Sequence, residues 1–112
     1  MPNRLELRLM IGEEVGIVAP GEVMSADDSD YIKRREESKL AELYEAGLIS
    51  FDQDGDIPEA YMLPIAKIIA GEVAPGFGSD IATAKALASE GLATLRKLKA
   101  PPYFPTAPAT YY

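Results

Sequence analysis

The chain has 112 residues, with 11 basic and 18 acidic side chains, which is enough for one domain with a modest core. Because Cys and His are both absent, disulfide frameworks, thiolate zinc sites and imidazole acid-base chemistry are excluded. The formal net charge of -7 disfavours broad binding to nucleic acid or anionic lipid, since both need a positive field. Small domains without covalent staples often need partner subunits, so we expect oligomerisation.

No segment has the pattern of a signal peptide or a membrane span. Glu6 and Arg8 interrupt the apolar residues near the start of the chain. The longest apolar stretch, residues 60–70, contains Pro64 and Lys67 and is much shorter than the roughly 18 residues that a bilayer span needs. We therefore expect synthesis in the cytoplasm and no membrane partner.

The first element, roughly Asn3 to Val15, combines a strand-like alternation of leucines with a helix-like apolar repeat. We predict a helix that ends at Gly16, a residue type common at helix C-termini.

A second helix is predicted from about Ala26 to Ala46, because Ser25 and Asp28 have the form of a capping box and Gly47 suits a C-terminal stop. Its apolar face is interrupted by seven polar residues, 33–39. We interpret this half as a face that the chain's own core cannot bury. It is either solvated or a charged contact surface between neighbouring subunits, with the candidate residues Lys33, Arg34, Arg35, Glu36 and Glu37.

A third helix is predicted to begin near Pro58 and to be apolar on nearly every face, so it is either central or shared with a partner. Pro64 inside it predicts a kink. The residues 74–78 end the helix, and we expect Phe77 to pack inward. The candidates for contact with another subunit are Tyr61, Ile65 and Ile69.

The fourth helix, from Ser79 or Asp80 to about Lys99, has the clearest amphipathic pattern, and its small residues would let another helix approach closely. Cations in its last turn, Arg96 and Lys97 among them, suit the negative end of the helix dipole. The alternative is contact with an acidic partner or with phosphate.

Motifs for metal or nucleotide binding fail on inspection. The acidic turn at 52–56 resembles a calcium loop, but Ile57 and Leu63 stand where that motif needs Gly and Glu. The Gly76-Phe77-Gly78 run lacks the third glycine and the preceding strand of a dinucleotide site. No spacing singles out a catalytic carboxylate pair, so we expect no enzyme activity, no metal and no cofactor.

The last thirteen residues, 100–112, carry no charge and hold four prolines and four aromatic residues. Such a segment is either a terminus that is flexible or folded onto its own domain, or a docking arm that inserts into a partner. We divide the chain into a helical bundle, 1–99, and an extended docking arm, 100–112. The candidate docking residues of this arm are Pro101, Pro102, Tyr103, Phe104, Pro105, Tyr111 and Tyr112. The predicted fold class is therefore all-α, a small bundle of about four helices with an extended C-terminal arm.

Five segments, in this order and spacing, resemble the head-to-tail adaptor (connector or neck) proteins of tailed bacteriophages. The resemblance spans most of the chain, although the short first element, the polar block 33–39 and the aromatic tail depart from the family pattern. The segments are GIVAPGE at 16–22, SADD at 25–28, GLI at 47–49, IPEA at 57–60 and IAGEVAPGFG at 69–78.

The resemblance implies a structural virion protein that assembles as a ring, typically a dodecamer, beneath the portal and joins the DNA-filled head to the tail. The C-terminal arm would grip the portal protein, and a tail, nozzle or head-closure protein would be the other partner. Packaged DNA would pass through without sequence-specific binding. The protein would be made in the host bacterial cytoplasm and located in the virion neck.

A different class of function stays open. A small cytoplasmic regulator or DNA-packaging accessory protein of a phage or prophage would use the basic residues of the fourth helix against nucleic acid. The residues concerned are Lys85, Arg96, Lys97 and Lys99.

Overall fold

A computed structural model describes residues 3–19, 21–51 and 55–99. The described residues form four α-helices, and no strand occurs among them. The helices are α1 (Arg4–Val15), α2 (Ala26–Glu45), α3 (Glu59–Val73) and α4 (Ile81–Lys99), and a 3-10 turn (Ala74–Phe77) joins α3 to α4. The predicted all-α bundle is confirmed, and the ambiguous first element is a helix.

Local hydrogen bonds account for the beginnings of α1 and α2. The Asn3 side chain accepts a hydrogen bond from the Glu6 amide at 2.9 Å, and the Ser25 hydroxyl accepts one from the Asp28 amide at 3.2 Å. Each bond satisfies an amide that the helix itself leaves without a partner. The predicted cap at Ser25 is confirmed.

Glycine ends both of these helices by entering the left-handed region. Gly16 has φ of 89° and Gly47 has φ of 77°. Beyond α2, the Leu48 amide donates to the Leu43 carbonyl and the Gly47 amide to the Tyr44 carbonyl, which is the Schellman arrangement. Both predicted stops are confirmed.

α3 lies at the centre of the bundle and contacts each of the other three helices. Most of its apolar side chains are buried inside the chain, whereas Ala60 and Leu63 are exposed, Leu63 at 44%. Of the two predicted settings for α3, central or shared with a partner, the described residues place it centrally. The kink at Pro64 stays a prediction.

α4 packs closely along α3, as its small residues predict. Gly71 of α3 lies against the Ala84 carbonyl of α4, and Gly91 of α4 lies against the Pro64 carbonyl of α3. A Cβ atom at either glycine would lie 2.5 Å from the facing oxygen. The two helices are therefore nearly in backbone contact at two points.

The turn between α3 and α4 is anchored to α2 by aromatic packing. Phe77 packs edge-on against Tyr31 with ring centroids 5.5 Å apart, and it is only partly exposed. Gly76 leaves room for this contact, because a Cβ there would lie 2.7 Å from the Tyr31 hydroxyl oxygen. The inward packing predicted for Phe77 is confirmed.

Candidate docking surfaces

The polar half of α2 is tied to α1 through a buried carboxylate. Glu36 is fully buried and accepts hydrogen bonds from Arg4 Nε at 2.6 Å and from Arg8 Nε and Nη2 at 3.2 Å each. The interpretation that the chain cannot bury this half of α2 is wrong at Glu36, which therefore has no surface to offer another subunit. The physical reason is that two guanidinium groups compensate the charge of the Glu36 carboxylate. Burial of this carboxylate without such partners would be strongly unfavourable.

The side chains next to Glu36 in sequence are exposed. Lys33, Arg34 and Glu37 are exposed, and the exposed Arg35 places its guanidinium 5.6 Å from the centroid of the Tyr31 ring. We call Lys33, Arg34 and Glu37 the charged strip of α2. The strip is available to a neighbouring molecule, so its role in subunit contact stays a prediction.

The contact residues predicted on α3 also include both buried and partly exposed side chains. Ile65 and Ile69 are fully buried in the core of the single chain, so they cannot contact another subunit in this fold. The apolar pattern of α3 reflects its central position, and that is the reason for the error. Tyr61 is half-buried and packs edge-on against Phe51, with ring centroids 5.4 Å apart. Only its exposed part remains available to a partner.

A groove of about 480 Å³ lies between the C-terminal half of α2 and α4, with α3 beneath it. We call it the α2–α4 groove. Apolar and small side chains from all three helices contribute to its lining, and charged side chains contribute from both walls. The lining residues are Lys39, Glu42, Leu43, Ala46, Leu48, Ile68, Gly71, Glu72, Lys85, Ala88, Ser89, Leu92 and Arg96.

On the α2 side of the groove, one ammonium group lies between a carboxylate of α2 and a carboxylate of α3. Lys39 Nζ lies 2.9 Å from Glu72 Oε2 and 3.1 Å from Glu42 Oε2. Burial of Lys39 opposes its charged form, but the hydrogen bonds to Glu72 and Glu42 outweigh burial and raise the pKa of Lys39 above its ordinary value. The ammonium group is thus retained at physiological pH.

The α4 side of the groove is different. Lys85 and Arg96 both line it, and neither forms an ion pair within the part of the chain that the structure describes. Lys67 of α3, by contrast, is paired with Glu90 of α4, and the hydrogen bond from this ammonium to the carboxylate raises the pKa of Lys67. The groove therefore combines an apolar floor, one wall on which Lys39 is paired with two carboxylates, and one cationic wall formed by Lys85 and Arg96.

Sequence reasoning did not identify the α2–α4 groove. Residues from three helices line it, and its two walls, on α2 and α4, face each other only in the folded bundle. The one available signal was the row of Lys85, Ala88, Ser89, Leu92 and Arg96, which shares a helical face and mixes apolar, small and basic residues. The predicted docking residues 101–105, 111 and 112 lie outside the described residues.

Two classes of site have no counterpart among residues 3–19, 21–51 and 55–99. No three acidic side chains there come close enough together to hold a metal ion. None of the helices in those ranges has both the length and the apolar character that crossing a bilayer requires.

Comparison with known proteins identified no relative. No protein-family model matches the chain, and neither a curated protein nor a solved structure matches it.

Proposed function

We propose that this chain is a structural adaptor of a tailed bacteriophage, forming a ring beneath the portal that joins the DNA-filled head to the tail. The observation that carries the proposal is the direct succession of a four-helix bundle by an uncharged segment rich in proline and aromatic residues, 100–112. The order of motifs that resembles the head-to-tail adaptors supports the same function. No catalytic step is required of such a protein.

A closed ring needs two different contact surfaces on each subunit, because each copy meets its neighbours head to tail. The charged strip of α2 can supply one of them. Large apolar side chains on other helices can contribute to the second, including Leu5 on α1 at 59% exposure and Ile81 on α4 at 60%. Their exposure supports self-association, since burial between subunits would remove apolar surface from water.

The docking arm supplies the attachment to the portal protein. Tyr and Phe bury large side-chain areas while only a few rotatable bonds become fixed. Proline reduces the entropy lost when an extended segment binds. A single well-buried aromatic anchor contributes about 2 kcal/mol or more. Repetition of modest arms around a ring makes attachment effectively permanent. The ring would then present its other face to a tail or head-closure protein.

The net charge of -7 is consistent with a channel through which packaged DNA passes. A negative surface repels the phosphate backbone, so DNA moves past without adhering.

Native mass spectrometry of the protein with the portal ring of the same phage tests the proposal. We expect a discrete number of adaptor copies on each portal ring. The double substitution Tyr103→Ser with Phe104→Ser should abolish the complex. Tyr44→Ser is the matched control, because Tyr44 is an aromatic residue on α2 that is 46% exposed and lies outside the arm. Free monomer or dimer with no portal complex would refute the adaptor function.

The cationic wall of the groove favours a second candidate, a DNA-packaging accessory protein or small regulator. Lys85 and Arg96, together with the exposed Lys97, would contact phosphate. Binding of DNA that weakens steeply with salt, and less steeply in Lys85→Gln, would favour it. DNA affinity absent at low salt would exclude it.

A further inference from the structure

The contacts of α1 with the bundle determine which of its side chains point outward. Leu7 and Ile11 are fully buried in the core, and Arg4 and Arg8 reach the buried carboxylate of Glu36 on α2. With 3.6 residues per turn, the side of α1 that lies opposite these contacts carries two leucines and two glutamates. We call it the outward face of α1, and its residues are Leu5, Glu6, Leu9 and Glu13.

The outward face of α1 has an apolar edge and an acidic edge. Leu5 is 59% exposed and Leu9 is partly exposed, and their spacing of four residues places them side by side. Glu6 and Glu13 are both exposed and lie seven residues apart, about two turns, beside the leucines. Neither glutamate forms an ion pair with the residues that the structure describes. The bundle itself therefore leaves both the apolar surface and the two carboxylates of this face uncompensated.

The α4 wall and the floor of the α2–α4 groove have the complementary chemistry. Lys85 and Arg96 line the wall eleven residues apart, which is about three turns, so they lie on the same side of α4 and about 16 Å apart along its axis. Leu48 and Ile68 contribute to the apolar floor beside them. The groove thus presents two cations next to apolar surface.

The opposite wall restricts what the groove can receive. Lys39 lies there between the carboxylates of Glu42 and Glu72, so this side carries one negative charge in excess. Carboxylates of an incoming helix are repelled from this side and attracted to the α4 wall. A helix that fits the groove therefore needs an apolar edge for the floor and an acidic edge turned toward α4.

We propose that the α2–α4 groove of one copy of this chain receives the outward face of α1 of a second copy. The leucines of that face lie on the floor, and its glutamates face Lys85 and Arg96 of the receiving copy. The twelve residues of α1 span about 18 Å, which matches the distance of about 16 Å between the two cations along α4.

The charges can meet although their spacings differ. Glu6 and Glu13 lie about 10 Å apart along α1, which leaves about 3 Å to be covered at each end of the 16 Å wall. The long side chains of Lys85 and Arg96 cover this distance, because each places its charge several bonds away from the backbone.

The chain's own α1 cannot be the occupant. Its inner side is packed against α2 and α3, two of the helices that form the groove, and its outward face points away from them. The face that is donated and the groove that receives it are different surfaces, so one copy can use both at once. Copies therefore associate head to tail, and a ring forms where the rotation between neighbours closes.

As the contact that builds the ring, this proposal rests on the proposed function and names the surface that receives Leu5. The two ideas fail separately, because the contact is measured with the protein alone and attachment is measured with the portal ring. Self-association through this contact without portal binding would refute only the adaptor function. A ring that forms only on the portal would refute only the contact.

Reciprocal charge reversal tests the contact in the full-length protein. The acidic-groove variant is Lys85→Glu with Arg96→Glu, and the basic-helix variant is Glu6→Lys with Glu13→Lys. Sedimentation velocity from about 10 μM to about 1 mM covers the dissociation constants of weak contacts. We expect the wild-type protein to associate and each variant alone to have a dissociation constant about ten-fold higher or more, since like charges then face each other.

An equimolar mixture of the two variants should recover association. The acidic face of α1 in the first variant fits the unchanged groove of the second, and the basic face of the second fits the acidic groove of the first. Each double substitution changes the wild-type net charge of -7 by four units, so both variants stay negative. Recovery therefore cannot come from attraction between opposite net charges.

Lys97→Glu is the matched control for Arg96→Glu, because both change the charge equally at exposed positions and only Arg96 lines the groove. Only Arg96→Glu should weaken association, and circular dichroism should show the same helix content in every variant. A wild-type protein that stays monomeric up to about 1 mM, equal effects of the two substitutions, or a mixture that does not recover would overturn the proposal. Loss of association in the acidic-groove variant alone would also overturn it, in favour of another segment of the second copy.

Discussion

Gly91 in α4 lies against the carbonyl group of Pro64 in α3, so near that a Cβ atom at position 91 would be 2.5 Å from the carbonyl oxygen. Cβ atoms at that position would also lie 2.9 Å from Cβ of Lys67. The oxygen belongs to the backbone and cannot rotate away as a flexible side chain can. The spacing between α3 and α4 therefore depends on the missing side chain.

Gly91→Ala should destabilise the bundle although alanine is the better helix former. The gain in helix propensity is about 1 kcal/mol, whereas forcing the two backbones apart costs about 1 to 3 kcal/mol. We expect a net loss of about 1 kcal/mol in the free energy of unfolding, measured by urea denaturation.

Gly12→Ala is the matched control for that experiment. The atoms nearest to a Cβ at Gly12 would be side-chain atoms, Met24 Cε at 2.9 Å and Val18 Cγ1 at 3.0 Å, and the flexible methionine can move aside. Its stability should change little or improve. Equal losses in both variants would show that Gly91 is not a special point of contact.

Glu36→Ala should be the more damaging of two neighbouring substitutions on α2. It leaves Arg4 and Arg8 without the buried carboxylate that they share, and loss of one partner from a buried ion pair costs about 3 kcal/mol. Glu37→Ala, at an exposed position, should change stability by less than about 0.5 kcal/mol. Thermal unfolding followed by circular dichroism compares them, and similar melting temperatures would contradict the role assigned to Glu36.

Alkaline pH should remove the stabilising effect of Lys39. The pKa of Lys39 is raised above 10.5 in the folded chain, so the folded state retains this proton longer than the unfolded state. Its contribution is complete below the unfolded pKa of about 10.4 and is lost as the pH rises through the higher folded value. Stability therefore falls with rising pH in that window.

The variant Lys39→Met isolates this effect from other lysines, including Lys67, whose pKa is also raised. We expect the wild-type protein to be about 0.5 to 1 kcal/mol more stable than Lys39→Met at pH 7, since the ion pairs are partly exposed. The difference should shrink above about pH 10.5. A difference that is constant up to pH 12 would contradict the coupling of Lys39 to Glu72 and Glu42.

Asp80 should be the residue that begins α4. Its carboxylate accepts hydrogen bonds from the Thr83 amide at 3.0 Å and from the Thr83 hydroxyl at 3.2 Å. Asp80→Ala should lower the free energy of unfolding by about 1 kcal/mol, whereas Ser79→Ala should have a smaller effect. Chemical denaturation distinguishes them, and a larger loss in Ser79→Ala would assign the cap to that residue instead.

Features set by neighbouring residues could be predicted from the sequence. The cap at Ser25 and the stops at Gly16 and Gly47 depend on hydrogen bonds that span only a few residues. The sequence offered both Ser79 and Asp80 as the first residue of α4. Choosing between them required the positions of the Thr83 amide and hydroxyl, which bond to Asp80.

Features set by distant residues could not be predicted in the same way. Glu36 looks like part of a solvated block because its partners Arg4 and Arg8 are 32 and 28 residues away in sequence. A polar residue in the middle of a charged run gives no sign that two guanidinium groups will enclose it. The α2–α4 groove escaped prediction for the same reason, since no single helix forms it.

The central position of α3 also has a consequence for how the chain reaches this fold. Only residues 74–80 separate α3 from α4, so the extensive contacts between these two helices are local. Residues 16–58 separate α1 from α3, so the contacts between those helices close a much longer loop. Local contacts form fastest because little loop entropy is lost. During synthesis α1 and α2 leave the ribosome first, but Leu7 and Ile11 have no complete core until α3 follows. The α3–α4 hairpin is thus the expected folding nucleus, and the second half of the chain sets the rate at which the first half becomes structured.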